Sequence, residues 1–477
     1  MEQNVTETID ALCLKLSEEV ESYLQKSGRR SRSLQHKHRQ SFQRSVSILV
    51  KDALISHATH PYAPVPISKR PETYGSSNIE YRGVPFRMHV EYVYPALLAM
   101  GYLQVVKRGY LDRSQGKGKR EIYSATDKLI DVFKFDEPIG TWFSNDTLAT
   151  RLTVSNRSVP VSPPVVVSIK NDQLKDVHIP PETKAHKVIR SRVKRLNECL
   201  KQYWIDLKLT PEQWDEMSRG WKDKNGDYHT LNLTKRSLYR VFHDDKLKTG
   251  GRFYGGWWQE IPSKFRQHII VDGKETIECD FSGLHPSILY AKEKHPIPAD
   301  PYGPIAGPKH RDIIKRCFNA MLNSKSRTTR APKEIDIRPT GMKWSEIVEQ
   351  IELFHAPIKH HFFTSAGMWL MREDSELAET IMFEYFDLPH QFCLPVHDSF
   401  IVHHAWEQDL QDKMTAVFIA KYGVKPEIKV NAKLTSNHEV PLTVLSVTDF
   451  SHGEILDAMN HPHIIRTELF KACNSPD

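Results

Sequence analysis

The chain has 477 residues, 39% of them hydrophobic and 10% aromatic, which is enough for two or three packed domains rather than one. A mean hydropathy of −0.50 and the lack of any run of eighteen apolar residues argue against a membrane-spanning protein, and the polar, acidic start MEQNVTETIDALCLKL has no secretory signal pattern. The six cysteines lack CxxC spacing, which disfavours a zinc ribbon or disulfide scaffold and fits a reducing cytoplasm; a net charge of +7 on so long a chain is alone weak support for a polyanionic partner.

Ile9, Leu12, Leu16, Val20 and Leu24 recur at helical spacing and predict a helix over 8–25, with a second over 36–57. Basic residues concentrate in 27–44 and again in 183–202, where solvated helix faces are the plain alternative to a nucleic-acid contact. The Pro/Ser/Thr-rich stretch 59–80 reads as loop. From 84 to 134 a helix-like segment, VPFRMHVEYVYPALLAMG, leads into the strand YLQVVKRGY, a Gly/Lys-rich tip, the return strand EIYSA and a helix capped by Thr126 or Asp127. That order resembles a winged helix-turn-helix domain, in which the wing (here Lys117, Lys119 and Arg120) touches nucleic-acid backbone. Pro95 falls inside the would-be recognition helix, a departure from that pattern, and a generic hairpin packed on helices is the alternative. VSNRSVPVSPPVVV (154–167) reads as a linker.

Further on, the strand IIV, the turn Asp272-Gly273 and the strand TIECDF form a hairpin signal that places Asp280 at a strand exit. A second aspartate, Asp398, lies in CLPVHDSFIV, another apolar, β-prone run. A buried carboxylate is costly unless it is paired or holds a metal. Between the two comes a basic helix, HRDIIKRCFNAMLN, whose Arg311 and Lys315 are four apart and project from one face. Two carboxylates offer hard oxygen ligands for Mg²⁺ (or Mn²⁺), with the backbone carbonyl of Phe281 as a third, and the cations can take phosphate charge. Two ions about 4 Å apart would hold the attacking 3′-oxygen and the leaving pyrophosphate in line.

DFSGLHPSIL resembles motif A of family A DNA polymerases, which begins DYSQIE; RDIIK resembles their RxxxK helix, and PVHDSF their motif C, in which His-Asp occupies a hairpin turn. The HDSF form and KRCFNAML are similar to single-subunit RNA polymerases, GGRFYGG to a primer–template-binding segment, and LMREDSELAETIM to the helix that follows the fingers. The likeness spans about residues 230–430. DFSGLHPSI, KRCFN and HDS are also similar to family B motifs, but His397 before Asp398 and Arg311 four before Lys315 favour family A. The resemblance implies an α+β right-hand polymerase, with an antiparallel palm sheet and helical fingers and thumb, behind a winged-helix-like domain. The implied divisions are a basic helical region (1–60), the winged-helix-like domain (61–153), a linker (154–180), a thumb-like region (181–250), palm and fingers (251–445) and a C-terminal tail (446–477). It further implies metal binding by Asp280 and Asp398, triphosphate binding by Arg311 and Lys315, primer-terminus and backbone contacts by His397 and Arg252, and template, primer and dNTP or NTP as partners.

Three positions depart from the family pattern. His285 stands where family A DNA polymerases have a Glu, Asn319 where they have a Phe, and Asn323 where the RNA polymerases have a Tyr. These residues face the nucleotide in the implied arrangement, so they leave open the choice of dNTP or NTP. The expected activity is a DNA polymerase without proofreading. The rivals are a primase or single-subunit RNA polymerase, a DNA-binding regulator with an inactive palm, and an RNase H-type nuclease drawing on Glu278 and Glu407. The cluster Phe253, Tyr254, Trp257 and Trp258 reads as core or as a base-stacking platform. FHAPIKHHFF (354–363) matches no zinc motif and reads as part of a helix near nucleic acid or solvent.

Overall fold

A computed structural model describes residues 2–29, 34–59, 64–69, 71–74, 84–112, 117–133, 152–156, 166–167, 183–222, 228–244, 246–386, 388, 391–431 and 462–474. It is a mixed α+β structure built on antiparallel sheets, with two apolar cores.

The first core joins α1 (Glu2–Lys26) and α2 (His36–Thr59) to the hairpin region that follows. Ile9, Cys13, Leu16, Val20 and Leu24 of α1 are all buried against Val46, Leu49 and Leu54 of α2, so the helices of 1–60 share a core with residues up to Leu152. Strand β1 (Val65–Ile67) lies within the stretch that reads as loop. It is the edge of a three-stranded sheet, β1–β5–β2, with β2 (Leu103–Lys107) and β5 (Glu121–Ala125); an edge tolerates Pro66, whose missing N–H breaks no central ladder. Between β2 and β5 runs a narrow ribbon of β3 (Tyr110–Asp112) and β4 (Lys117–Lys119). The helix over Arg87–Ala99 starts as a π-helical turn (Arg87–Val93) and continues as α3 (Tyr94–Ala99), with Pro95 just past the point where the π-helical turn gives way to α-helix. Thr126 caps α4 (Asp127–Val132) by accepting from the Leu129 N–H.

The second core surrounds a larger sheet. Strand β6 (Val166–Val167), inside the stretch read as linker, runs parallel to β10 (Tyr239–Phe242). Helix α5 (Lys184–Leu200), capped by Thr183, buries Ile189, Val193, Leu196 and Leu200 and exposes Lys184, Lys187, Arg190, Arg192, Lys194 and Arg195. After β7 (Ile205–Leu207), α6 (Pro211–Ser218) and the short pair β8 (Trp221–Lys222) and β9 (Tyr228–His229), β10 pairs with β11 (Gly250–Tyr254). Short helices α7 (Trp257–Glu260) and α8 (Ser263–Arg266) follow. Phe253, Trp257 and Trp258 are buried, which settles the aromatic cluster as core apart from half-buried Tyr254. The Asp272-Gly273 turn, with both residues at positive φ, joins β12 (Ile269–Val271) to β13 (Lys274–Phe281).

Strand β13 is the spine. One side pairs with β12 and then with β16 (Ile428–Asn431), the other with β15 (Ser399–His403), itself hairpinned to β14 (Leu394–Val396). Around the sheet lie α9 (Leu284–Lys292), α10 (Gly303–Ala306), α11 (Arg311–Asn323), α12 (Trp344–Phe354), α13 (Ala366–Phe386) and α14 (Glu407–Tyr422). The stretch expected as a C-terminal tail contains α15 (Pro462–Asn474), whose Ile465, Leu469, Phe470 and Cys473 lie inside the second core. Its Arg466 makes a two-pronged pair with Asp206 (2.8 Å at both contacts), both side chains at most 3% exposed. Trp204 donates to the same carboxylate at 2.9 Å. Lone burial of either charge would be expensive, and the fork geometry satisfies both.

All six cysteines are free. No described helix is long and apolar enough to cross a membrane.

Candidate active site

Asp280 is the penultimate residue of β13 and sits opposite Ser399, the first residue of β15. Asp398 precedes Ser399 in the two-residue turn His397-Asp398, and its carbonyl accepts from the Phe281 N–H at 3.2 Å. The two aspartates are thus held at one end of a strand pair, with Asp398 in the hairpin turn that links β14 to β15. His397 adopts φ 58°, which a non-glycine residue rarely takes outside turns and functional sites. Its ring meets Tyr254 edge-on at 5.8 Å.

The two carboxylates are close enough to repel each other. Burial pushes the Asp280 carboxyl up to about 7, helped by the negative charges of Asp398 and Glu278 and opposed by Lys315 and Lys429. Its Oδ1 is buried with no hydrogen-bond partner. An orphaned carboxylate oxygen next to a second carboxylate fits an oxygen-only site for Mg²⁺ or Mn²⁺. Phe281 fixes the hairpin through its N–H, and its ring packs on Phe400 and Phe418. Glu278 is bound by Arg266 (3.0 and 3.2 Å) and accepts from the Ser399 hydroxyl at 2.6 Å, while Glu407 accepts from Gln411. Glu278 is thus committed to an ion pair, whereas Glu407 has a single amide contact, at 3.3 Å, among the described residues.

Lys315 is exposed on α11, yet its charge reaches both Asp280 and His285. Arg311, one turn earlier, is anchored instead: its Nε lies 3.1 and 3.2 Å from the Asp300 oxygens and its guanidinium sits 5.3 Å from the Tyr302 ring centre. Asn319 and Asn323 continue the same row, but Asn323 donates back to the Asn319 carbonyl at 2.8 Å and packs over Gly367. No contact among the described residues links the two asparagines to the carboxylates.

His285, half-buried at the start of α9, is held near 4 by burial and by the charges of Arg252 and Lys315, so it is neutral at pH 7. Arg252 Nη2 reaches its Nε2 at 3.5 Å, the long limit of a hydrogen bond. Arg252 itself comes from β11, aimed by Gly250 and Gly251, both at positive φ. Its main partner is Asp374 of α13. A second arginine, Arg240 on β10, seats this strand pair on the same helix: it donates to the Gly251 carbonyl (2.7 Å) and Ser375 (3.0 Å) and pairs with Glu379 (3.2 Å).

Asp374, Asp300, Tyr302 and Lys429 were not singled out from sequence. Asp374 had a readable signal, because it interrupts the buried stripe Leu370, Leu377, Ala378 and Ile381 of α13, where an acid needs a partner. Lys429 lies across from Asp280 on β16, a pairing visible only once the sheet is formed.

Of the expected wing contacts, the Lys117 and Lys119 side chains lie outside the described residues, although the strand Lys117–Lys119 itself is described. Arg120 is exposed and lines a cleft between the two cores with Asp52, His229, Lys235 and Glu260. A cavity of about 690 Å³ opens beside α13 and α14, with Arg192, Glu379 and Lys413 in its wall; it includes neither aspartate, and its lining of both charge signs on an apolar floor shows no convergent chemistry.

No protein-family model, no curated protein sequence and no solved structure matches this chain.

Proposed function

We propose that the chain is a template-directed nucleotidyltransferase, a DNA polymerase working without proofreading, with a palm-like sheet carrying Asp280 and Asp398 behind a winged-helix-like N-terminal body. The observation that carries this reading is the pairing of those two carboxylates at one end of β13 and β15, with Asp280 Oδ1 unpartnered and Lys315 acting on it from α11.

Asp280 and Asp398 would hold the divalent cations, which when bound supply Lewis-acid polarisation and charge neutralisation at a triphosphate. Lys315 takes up negative charge that grows on the phosphates as the leaving group departs. Arg311 adds to it once its half-buried guanidinium turns from Asp300. Neutral His285 presents an uncharged ring beside the metal carboxylates, where a nucleotide sugar would lie. Arg252 and His397 flank the position of the primer end, and the exposed cations of α5 offer a backbone-binding face whose affinity falls with salt.

The test is incorporation of labelled dNTPs on primed DNA, and of NTPs without primer, by wild type and by Asp398→Ala. Wild type extends the primer and the variant does not. Extension by both at equal rates sinks the site assignment. Unprimed synthesis from NTPs transfers the reading to a primase or RNA polymerase, and sequence-specific DNA binding with no incorporation transfers it to a regulator.

A further inference from the structure

Glu293 follows the last residue of α9, and His360 and His361 end the short 3₁₀ segment Ala356–His361 that leads toward α13. Nε2 of His360 lies 3.1 Å, and Nε2 of His361 2.9 Å, from the same oxygen, Oε1 of Glu293. The two imidazoles are 4.1 Å apart between centres and inclined by 39°, so neighbouring residues direct equivalent nitrogens at one point. One ligand atom from each of the three groups falls within 4.8 Å of the other two. His361 is braced from behind, its ring centre 5.9 Å from that of Trp369, over which Lys292 extends.

We propose that Glu293, His360 and His361 form a transition-metal site, best suited to Zn²⁺ and separate from the Asp280–Asp398 pair. The donor spacings approach the edge of a zinc tetrahedron, about 3.3 Å for ligands at Zn–N distances of roughly 2.0–2.1 Å. Two imidazole nitrogens with one carboxylate oxygen suit Zn²⁺, Ni²⁺ or Cu²⁺, whereas Mg²⁺ and Ca²⁺ favour oxygen ligands alone. The chemistry therefore discriminates against the cation proposed for the aspartate pair. The C-terminal end of α9 adds negative dipole charge where the cation sits. Three protein ligands leave a fourth position for water.

The site's place in the fold gives it a role. Helix α9 starts directly after the Asp280 strand and carries His285, while α13 carries Asp374. A metal across Glu293, His360 and His361 would fasten the far end of α9 to the chain entering α13, stiffening the frame on which the aspartate site is mounted. The proposal does not rest on the polymerase reading.

The experiment is zinc retention by the full chain after dialysis against limiting ZnCl₂ without Mg²⁺, read by elemental analysis. One zinc per chain is expected in wild type, a loss of about tenfold or more in affinity in Glu293→Gln and in a His360→Ala/His361→Ala double variant, and full retention in Asp280→Asn/Asp398→Asn. X-ray absorption at the zinc edge should show two imidazole nitrogens. As a check independent of variant folding, Co²⁺-loaded wild type should show a visible absorption band displaced by zinc. The proposal is overturned if folded wild type retains no zinc and gives no cobalt band, in which case the cluster is only a hydrogen-bonded His–Glu group. It is equally overturned if the histidine variant keeps its zinc, or if the zinc is lost only with the aspartates.

Discussion

Both Nε and Nη2 of Arg252 lie 2.6 Å from Oδ2 of Asp374, a carboxylate whose side chain is only 1% exposed. Burial and the charge of Asp398 push the Asp374 carboxyl up to about 6, against the pull of Arg252. Asp374→Ala leaves a largely buried guanidinium without its counter-charge. The expected cost is about 3 kcal/mol of stability, read as a lowered urea midpoint. Asp374→Asn, which keeps one acceptor, should cost less while still raising KM for primer–template. An unchanged KM in Asp374→Asn would show that the pair does not position Arg252 for nucleic acid.

The pH dependence of the cation site follows from Asp280. Its folded value of about 7 lies above the ordinary carboxyl value, so the folded state binds a proton that the unfolded state has already released. That contribution to stability is present below about pH 4 and is lost as pH rises through about 7. In the absence of divalent cation, Asp280→Asn should therefore be more stable than wild type at pH 8, by on the order of 2 kcal/mol after allowance for partial exposure, and equally stable at pH 4. With Mg²⁺ present the cation competes with the proton, so activity should fall only at a pH below about 7, and that fall should move further down as Mg²⁺ is raised. Melting curves at the two pH values without divalent cation check the first statement, and primer-extension rates across pH at two Mg²⁺ concentrations check the second.

Lys315 and Arg311 occupy one face of α11 but differ in what holds them. Lys315→Ala should lower kcat/KM for nucleotide by about a hundredfold. Arg311→Ala should cost less, because its guanidinium is already engaged by Asp300 and Tyr302. Steady-state kinetics on primed DNA rank the two, and an inverted order would reassign the phosphate contacts.

Gly251 has φ +92°, and a Cβ there would come within 2.8 Å of the Phe242 ring and 3.0 Å of Ser375 Oγ. Gly251→Ala should cost on the order of 2–4 kcal/mol, measured by thermal or urea unfolding, with reduced primer–template affinity because Arg252 is the next residue.

The sequence carried the aspartate pair because each lay in a short apolar run flanked by turn residues, a local pattern. The Asp272-Gly273 hairpin was legible for the same reason: the turn type demands those residues. Helices α1 and α2 followed from their spacing, while their sharing of a core with the hairpin region did not, since nothing local to residues 1–60 states what covers the apolar stripe. Strand β1 was hidden by Pro66, which reads as loop until the edge position of the strand is known. The partnership of Arg252 with Asp374 spans 122 positions and rests on β11 packing against α13, a relationship no window of sequence contains.

Asp206 and Arg466 are 260 positions apart, yet each is the other's only charge partner among the contacts described, inside a sealed interior. A ribosome making this polypeptide produces β7, and then the sheet bearing Asp280 and Asp398, long before it produces the arginine that neutralises Asp206. Until α15 emerges, the nascent body carries an uncompensated charge beside Trp204 and a hydrophobic gap where Phe470 belongs. Maturation of the fold is thereby tied to synthesis through residue 474, and a product stopped before α15 is left loosened in the sheet that carries the aspartate pair.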